Sequence, residues 1–295
     1  MSAIPPPLDD FLDAAVALAR KKAFAHLLYI GDLPLPDVTP AIKKKLTQAV
    51  TSEPQRAVAA AQGVFAVSIP AYEGLSRQEK LKLALLAGVS AGRFTDGETV
   101  LVVVGKRATS WPDTQMVVTI GRRQSENETE DIHFELPNDE RIPSQVLEGL
   151  IEQAVTIGIE GWEGHPIGTL FVVGDTSRVL ERSKQLSLNP FQGYPESEKN
   201  LLNPMVRDAL RSFAVLDGAF VIREDGVVLA AGRYLQFGDA DVKVSLGLGA
   251  RHMAAAGITR ESSALAICVS QTSGAVRVFR NGEVVMQISP RSRRV

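Results

Sequence analysis

Residues 216–235 read LDGAFVIREDGVVLAAGRYL and place two apolar runs on either side of a short polar turn. The runs at 219–223 and 227–235 have the composition of strands, and the turn Glu224-Asp225-Gly226 between them is typical of a β-hairpin. Outward from this hairpin, further strands are predicted at 168–175, 263–270, 275–279 and 283–288. This part of the chain is therefore predicted to form a mixed sheet.

Two helices are predicted to pack around this sheet. The first begins at Ser144 and repeats apolar residues at helical spacing, and the second has Asn203 as its N-cap and Pro204 at its first helical position. The inner face of the first helix consists of Leu147, Leu150, Ile151, Ala154 and Val155. The fold predicted for residues 144–295 is accordingly a mixed sheet surrounded by helices.

The first part of the chain alternates helical and extended patterns. Thr39 and Ser76 are predicted as helix N-caps, and strands are predicted at 26–32, 56–61, 64–70, 99–105 and 115–121. A further helix is predicted from an apolar stripe made by Phe11, Ala14, Ala15, Leu18 and Ala19. This alternation predicts an α/β layered domain with a mainly parallel sheet over residues 1–121.

Little in this first domain indicates chemistry. No glycine-rich phosphate loop follows its first strand, and Asp32 and Asp37 are expected to be solvated loop carboxylates. The layout resembles the small α/β domain at the C-terminus of pyruvate kinase, which implies a structural, oligomerising or regulatory role. Residues 122–143 are rich in acidic and small polar residues and are predicted to be an acidic linker or an edge hairpin. Of these, a connector with a short strand at 132–134 is favoured.

Composition and charge exclude several classes of protein. The net charge of −2 gives no basic surface for nucleic acid, and 45% hydrophobic with 22% charged residues is typical of a folded globular chain. Cys268 is the only cysteine, which excludes an intramolecular disulfide, and its apolar surroundings predict a buried structural thiol. The apolar stretches 57–72 and 82–92 are interrupted or too short to cross a bilayer, and the N-terminus lacks a secretion signal. A cytoplasmic protein is expected.

Two short clusters have the chemistry of a site. Asp217-Gly218-Ala219 lies where a predicted helix ends and a strand begins, and its carboxylate is a hard ligand suited to magnesium or manganese. Arg251-His252 lies in the stretch 245–259, SLGLGARHMAAAGIT, before a small helix that Gly257 is predicted to end. Arginine and a helix N-terminus both donate hydrogen bonds to phosphate. Together the clusters predict a metal–nucleotide site.

Each cluster also has a structural interpretation. Asp217 is compatible with a plain turn or cap residue, and His252 with a buried structural histidine. The letters GLGARH are close to the dinucleotide fingerprint, but His252 occupies the position of the third glycine. A Rossmann dehydrogenase is therefore disfavoured.

Residues 146–288 resemble the diadenylate cyclase (DAC) domain, the nucleotide-binding part of the DNA-integrity-scanning protein family. The matching stretches, in family order, are EGHPIGTLFVVGD, LNPFQGY, LDGAFVIREDGVVLAAGRYL, GLGARHMAAAGIT and VSQTSGAVRVFRNGEVV. A pyruvate-kinase-like domain ahead of the cyclase is a feature of the archaeal-type branch, and the layout here is similar. The membrane helices and the helix-hairpin-helix module of other branches are absent from this sequence, so neither a membrane nor DNA is an expected partner.

The resemblance implies a reaction in which two ATP molecules condense into cyclic di-AMP and release two pyrophosphates. Asp217 matches the aspartate that holds the metal and activates the ribose 3′-hydroxyl, and Arg251 and His252 match residues that contact the phosphates. The remaining nucleotide-binding positions that the resemblance implies are Gly218, Ala219, Leu235, Gly249, Ala250, Met253, Ser270 and Gln271. Because the product has two equivalent halves, two subunits facing each other about a two-fold axis are required, and an isolated monomer is expected to be inactive.

Three positions depart from the family pattern. Met253 replaces an arginine, Ala250 a threonine and Gln271 a glutamate. Arg233 and Arg277 are candidates to replace the missing charge, with a surface role as the other interpretation. Two functions therefore remain open: an active cyclase, or a degenerate module that binds ATP or cyclic di-AMP without making it.

Overall fold

A computed structural model shows two compact units, Met1–Leu136 and Pro137–Val295. It describes residues 10–11, 14–15, 17–18, 24–33, 35, 39–71, 74–121, 132–134, 137, 139–238 and 249–290. Each unit is built on a sheet of its own. Among these described residues, no helix combines the length and the apolar character that a bilayer-spanning segment needs.

The first unit is an α/β layer with a mainly parallel sheet, as predicted. Its strands are β1 (His26–Ile30), β2 (Leu46–Val50), β3 (Phe65–Ser68), β4 (Thr99–Gly105), β5 (Pro112–Ile120) and β6 (Ile132–Phe134). Its helices are α1 (Pro40–Lys45), α2 (Glu53–Ala61) and α3 (Arg77–Ser90). The sheet order is β3-β2-β1-β4-β5-β6, and the β4–β5 pair is its antiparallel neighbour pair. The predicted short strand at 132–134 is confirmed as β6.

Two local predictions in this unit are wrong. The strand predicted at 56–61 is part of helix α2, because the alanine-rich run has high helix propensity and a proline stands at the start of the helix. The helix that the pattern at 39–52 predicts after Thr39 ends at Lys45, and the next five residues form the fully buried strand β2. Ser76 caps α3 as predicted, with Glu79 completing a capping box.

The predicted N-terminal stripe lies only partly within the described residues. Ala15 is in the core cluster of this unit, and Phe11 and Leu18 pack against it. Ala19, Asp37 and the whole segment 122–131 lie outside the described residues. The Asp32 carboxylate accepts a hydrogen bond from the Thr51 backbone N–H at 2.8 Å, so it ties two loops together.

The second unit is the predicted mixed sheet with helices around it. Its strands are β7 (Thr169–Val173), β8 (Ser183–Gln185), β9 (Ala219–Ile222), β10 (Val228–Leu235), β11 (Leu265–Val269), β12 (Val276–Arg280) and β13 (Glu283–Ile288). Its helices are α4 (Ser144–Glu160), α5 (Thr176–Glu181), α6 (Pro204–Phe213) and α7 (Ala250–Glu261). The order is β13-β12-β11-β7-β9-β10-β8, in which β7 and β9 are parallel. The predicted β9–β10 hairpin is confirmed.

Side chains of the central strands alternate between two packed faces. Val172, Val221 and Ala266 join Ala255 and Ile258 of helix α7 in one core cluster. Neighbouring residues in a strand point to opposite faces, so Phe171 and Phe220, whose rings stack at 5.1 Å, belong to the other face. Both faces of the sheet are therefore buried.

Helix α7 is longer than predicted. Gly257 does not end it, and the helix continues to Glu261. A Cβ atom at Gly257 would lie 2.3 Å from Cγ of Phe237, so this glycine serves close packing against the chain that follows β10. The predicted N-cap at Asn203 is confirmed, since its side chain accepts from the Met205 N–H at 3.0 Å.

Glu152, on helix α4, makes the stability of this unit depend on pH. Burial, with repulsion from Glu148, raises the pKa of Glu152 to about 7, while Arg207 on α6, at 3.9 Å, opposes the rise. Because the pKa of Glu152 is higher in the folded protein than in the unfolded chain, protonated Glu152 contributes stability to the folded state. This contribution is fully present below the pKa of the unfolded chain and is lost as the pH rises toward about 7. We therefore expect Glu152→Gln to have a higher melting temperature than the wild type at pH 8 and the same melting temperature as the wild type at pH 4.

Thermal melting at the two pH values measures this difference. Glu181→Gln is the matched control, because that side chain is 68% exposed, and we expect it to leave the melting temperature nearly unchanged at both pH values. A Glu152→Gln variant whose advantage over the wild type is the same at pH 4 and pH 8 would contradict the assignment.

Candidate functional site

The second unit contains a cavity of about 960 Å³. Its walls come from the start of β9, the end of β10, the N-terminus of α7 and the turn that follows β11. A cavity of this size is in the range that accommodates a small organic ligand. These elements are far apart in sequence, and the sheet order brings them to one place.

Asp217-Gly218-Ala219 forms one edge of the cavity. Gly218 has φ +97°, and a Cβ atom there would lie 2.7 Å from the Arg233 backbone nitrogen. Only glycine fits this close crossing of β9 and the irregular part of β10, where the register shifts between Ala230 and Arg233. The crossing leaves Asp217 with a side chain that is 91% exposed.

The N-terminus of helix α7 forms the facing wall. Gly249 is its N-cap, and no described side chain caps the first turn. Arg251 lies in that turn, and its Nη2 is 3.5 Å from Oδ1 of Asp217. An uncapped helix N-terminus beside a guanidinium is suited to an anion, and the exposed ion pair is weak enough for either partner to exchange it for a ligand.

His252 lies behind this wall and is only 5% exposed. Its Nε2 is 3.0 Å from Nη1 of Arg277. A guanidinium donates and does not accept hydrogen bonds, so Nε2 is the acceptor and Nδ1 carries the proton. Burial, together with the positive charge of Arg277, lowers the pKa of His252. His252 is therefore neutral at neutral pH.

Ser270 and Gln271 are on the tight turn between β11 and β12. The turn is closed by a hydrogen bond from the Gly274 N–H to the Ser270 carbonyl at 2.9 Å. Helix α4 packs directly on it, because a Cβ atom at Gly158 would lie 2.3 Å from the Gly274 carbonyl oxygen. The position of these two cavity residues thus depends on a glycine outside the cavity.

We expect Gly158→Ala to weaken nucleotide binding and turnover by about tenfold to hundredfold, because the new methyl group displaces the turn by a fraction of an ångström or more. Titration calorimetry with ATP and a turnover assay measure the two effects. Gly149→Ala is the control on the same helix, since its Cβ meets the flexible Leu201 side chain at 3.1 Å. Equal activities of Gly158→Ala and Gly149→Ala would contradict this role of the contact.

The structure brings all the sequence-predicted site residues to this one cavity. They are Asp217, Gly218, Ala219, Leu235, Gly249, Ala250, Arg251, His252, Met253, Ser270 and Gln271. Their roles toward a ligand stay predictions. The cavity also contains residues that the sequence did not single out, among them Tyr234, Phe237 and Thr272. Tyr234 and Thr272 are adjacent in sequence to Leu235 and Gln271, Phe237 is two residues after Leu235, and the sequence holds no further signal for them.

Arg233 and Arg277 also line the cavity, so neither is the plain surface residue of the alternative interpretation. Arg233 is held by the chain itself: its Nε donates to Ser183 Oγ at 2.9 Å, and Nη2 donates to the carbonyl oxygens of Ser183 and Leu180 at 2.8 and 2.9 Å. Arg277 has a different environment, in which His252 and Gln287 are its hydrogen-bond partners. The two arginines therefore differ in how much of the guanidinium remains for a ligand.

Cys268 is a structural thiol, as predicted. It is fully buried, and burial raises the pKa of its thiol to about 12, with Arg251 and Arg277 acting in the opposite direction. A thiol with so high a pKa is not a nucleophile at neutral pH. The described residues contain no group of three or more His, Cys, Asp or Glu that could hold a metal by protein ligands alone.

The fold and the cavity define a nucleotide-binding module, and comparison with known proteins specifies which one. Residues 156–284 match the family described as DisA bacterial checkpoint controller nucleotide-binding. A diadenylate cyclase of Haloferax volcanii is 37% identical over 213 residues, which cover 72% of this chain and 76% of that protein. The chain belongs to the diadenylate cyclase family.

A second relative and a solved structure complete the comparison. A diadenylate cyclase of Methanocaldococcus jannaschii is 37% identical over 198 residues, which are 67% of this chain and 62% of that protein, so the match leaves part of this relative uncovered. The crystal structure of DacA from Staphylococcus aureus aligns with a TM-score of 0.34 at 22% identity, over 48% of this chain and 84% of that one.

Proposed function

We propose that this chain condenses two ATP molecules into cyclic di-AMP and releases two pyrophosphates. The observation that carries the proposal is the juxtaposition of Asp217 and Arg251, 3.5 Å apart, at the uncapped N-terminus of α7. Phosphoryl transfer needs a group that activates the attacking hydroxyl and a basic group that binds phosphate near the reacting atoms, and both kinds of group line this cavity. The family membership of the chain supports the same reaction.

The reaction consists of one step that takes place twice, once for each ATP. The 3′-oxygen of one ATP attacks the α-phosphorus of the other, a new P–O3′ bond forms, and the bond from the α-phosphorus to the bridging oxygen of pyrophosphate breaks. Asp217 lies at the open side of the cavity and is placed to draw the proton from the attacking hydroxyl. Arg251 and the first N–H groups of α7 stabilise the charge that gathers on the phosphate oxygens.

Asp217 also fits the metal that the family implies. Magnesium in such sites is held by one or two carboxylates, substrate phosphates and water, so one exposed carboxylate beside a phosphate site is a sufficient protein contribution. When bound there, magnesium or manganese supplies positive charge that weakens the 3′-O–H bond. Ser270, which lines the cavity, contacts the triphosphate in this proposal, and the backbone of Leu235 meets adenine.

The ring closes only when two copies of the cavity face each other. In the product, the 3′-oxygen of each nucleotide is bonded to the phosphorus of the other, so each 3′-hydroxyl must reach the α-phosphorus of a second ATP, and one cavity that holds one ATP cannot close the ring. We infer a two-fold interface across the open side of the cavity, where Asp217 and Tyr234 are exposed. The predicted inactivity of the monomer then follows, and specific activity falls on dilution below the dimer dissociation constant.

A mixture of ATP and 3′-deoxy-ATP tests the chemistry of the proposal. The 3′-deoxy nucleotide has an α-phosphate but no attacking hydroxyl, so we expect a linear dinucleotide with a 3′-deoxyadenosine end, in addition to cyclic di-AMP. Mass spectrometry separates the two products. A cyclic product that contains 3′-deoxyadenosine would show that the 3′-oxygen is not the nucleophile.

The second candidate function is a degenerate module that binds ATP or cyclic di-AMP without turnover. It is favoured by Met253, Ala250 and Gln271, which line the cavity and lack the charge or hydroxyl of the family pattern. Loss of one donor from a transition-state site costs about 2.7–4 kcal/mol when nothing replaces it. Whether another group of this chain replaces it decides between the two functions.

A further inference from the structure

Arg277, on strand β12, has the geometry of a ligand-binding cation. It lines the cavity, and two of its three nitrogens are fixed: Nη1 by His252 Nε2 at 3.0 Å and Nε by Gln287 Oε1 at 3.0 Å. Both partners are neutral. Among the residues that the structure describes, Arg277 has no carboxylate partner, and Nη2 has no hydrogen-bond partner.

A half-buried guanidinium without a counter-anion is costly for a protein unless a ligand supplies the negative charge. Among the described residues, Arg233 also lacks a carboxylate partner, but the other two cavity arginines differ from Arg277 in how their donors are used. Arg233 uses its donors on Ser183 and Leu180, and Arg251 already has Asp217 beside it. Arg277 is therefore the cavity arginine that combines the lack of a described carboxylate partner with an Nη2 that no described residue uses, in an orientation fixed in advance.

Arg277 also lies beside the part of α7 in which position 253 carries no charge. Met253 follows His252 in the first turns of α7 and brings no charge to that wall. The hydrogen bond between His252 and Arg277 places the guanidinium of β12 against the same turn, 25 residues further along the chain.

We propose that Arg277 binds the triphosphate of ATP, and that His252 and Gln287 position it for this contact. The proposal rests on the proposed function in one respect, that ATP occupies this cavity. It assigns His252 a positioning role through its neutral imidazole. It also assigns the charge of the missing third basic residue to strand β12.

Binding of ATP and of adenosine, each measured by titration calorimetry with divalent metals removed, tests the proposal without turnover. We expect Arg277→Gln to weaken ATP binding by about tenfold to hundredfold, since a hydrogen bond to a charged group is lost, and to leave adenosine binding within about twofold. Adding Met253→Arg to Arg277→Gln is expected to restore part of the ATP affinity. Arg280→Gln, on the same strand but paired with Asp139 outside the cavity, is the control and should bind both ligands as the wild type does.

Two outcomes overturn the proposal: an Arg277→Gln variant that keeps the ATP affinity of the wild type, or one that loses ATP and adenosine affinity in equal proportion. The second outcome would mean that Arg277 only maintains the shape of the cavity. A wild-type protein that forms no cyclic di-AMP, together with a selective loss of ATP affinity in Arg277→Gln, would remove the proposed function and retain the phosphate contact. Normal synthesis by the wild type, together with an unchanged ATP affinity in Arg277→Gln, would retain the proposed function and remove the phosphate contact.

Discussion

Replacing Asp217 with Asn is expected to lower the rate of cyclic di-AMP synthesis by about 10²- to 10⁴-fold. The amide is nearly the same size but has no negative charge, so it holds a metal poorly and does not draw the proton from the 3′-hydroxyl. Because the side chain is 91% exposed and its ion pair with Arg251 is weak, the fold is expected to be retained. Product formation by mass spectrometry and thermal melting measure the two effects.

The matched control for this variant is Asp208→Asn, an exposed carboxylate on α6 outside the cavity. It should synthesise cyclic di-AMP at the rate of the wild type. Binding of ATP to Asp217→Asn in the absence of divalent metal should change little, since Arg251 and the helix N-terminus remain. Synthesis by Asp217→Asn at the rate of Asp208→Asn would refute the role given to Asp217.

Replacing Gly218 with Ala is expected to disrupt both the fold and the site. The residue has φ +97°, and the new methyl carbon would lie 2.7 Å from backbone atoms of Gly232 and Arg233. Backbone strain of about 1–3 kcal/mol combines with a comparable cost of overpacking, which corresponds to a melting temperature lower by roughly 10 °C. Relief of the clash moves Asp217 away from Arg251, so synthesis falls more than the loss of folded protein explains.

Differential scanning calorimetry and activity per folded protein test this variant. Gly149→Ala is the control for adding a methyl group, because its neighbour is a flexible leucine side chain and the residue lies in a helix. A Gly218→Ala protein with the melting temperature of Gly149→Ala would contradict the account of the β9–β10 crossing.

Local sequence signals predicted much of the fold because their physical causes are local. Turn residues at 224–226 fixed the β9–β10 hairpin, and the caps at Ser76 and Asn203 began their helices where expected. The strand prediction at 56–61 was wrong because alanine and valine occur in both buried strands and helices, and periodicity does not distinguish the two in a short run. The helix end predicted at Gly257 was wrong for a non-local reason, since the Phe237 ring that explains the glycine lies 20 residues earlier in the chain.

The features of the site likewise include some that the sequence predicted and some that depend on contacts between distant elements. Motif resemblance identified residues on β9, β10, α7 and the turn after β11, and the structure places them in one cavity. Arg277 lies in one of the matching stretches and was a candidate for the missing charge, but its contact with His252 across two elements was not predicted. Such a contact depends on the register of β12 against β11, in which Arg277 pairs with Cys268, and no sequence pattern specifies that register by itself.

The most direct test of the central claim is the product that the purified wild-type chain makes from ATP with magnesium or manganese. We expect cyclic di-AMP as the product and two pyrophosphates released for each ring closed, in a protein that is at least dimeric at the assay concentration. A dimeric protein that binds ATP yet forms no cyclic di-AMP with either metal would contradict it.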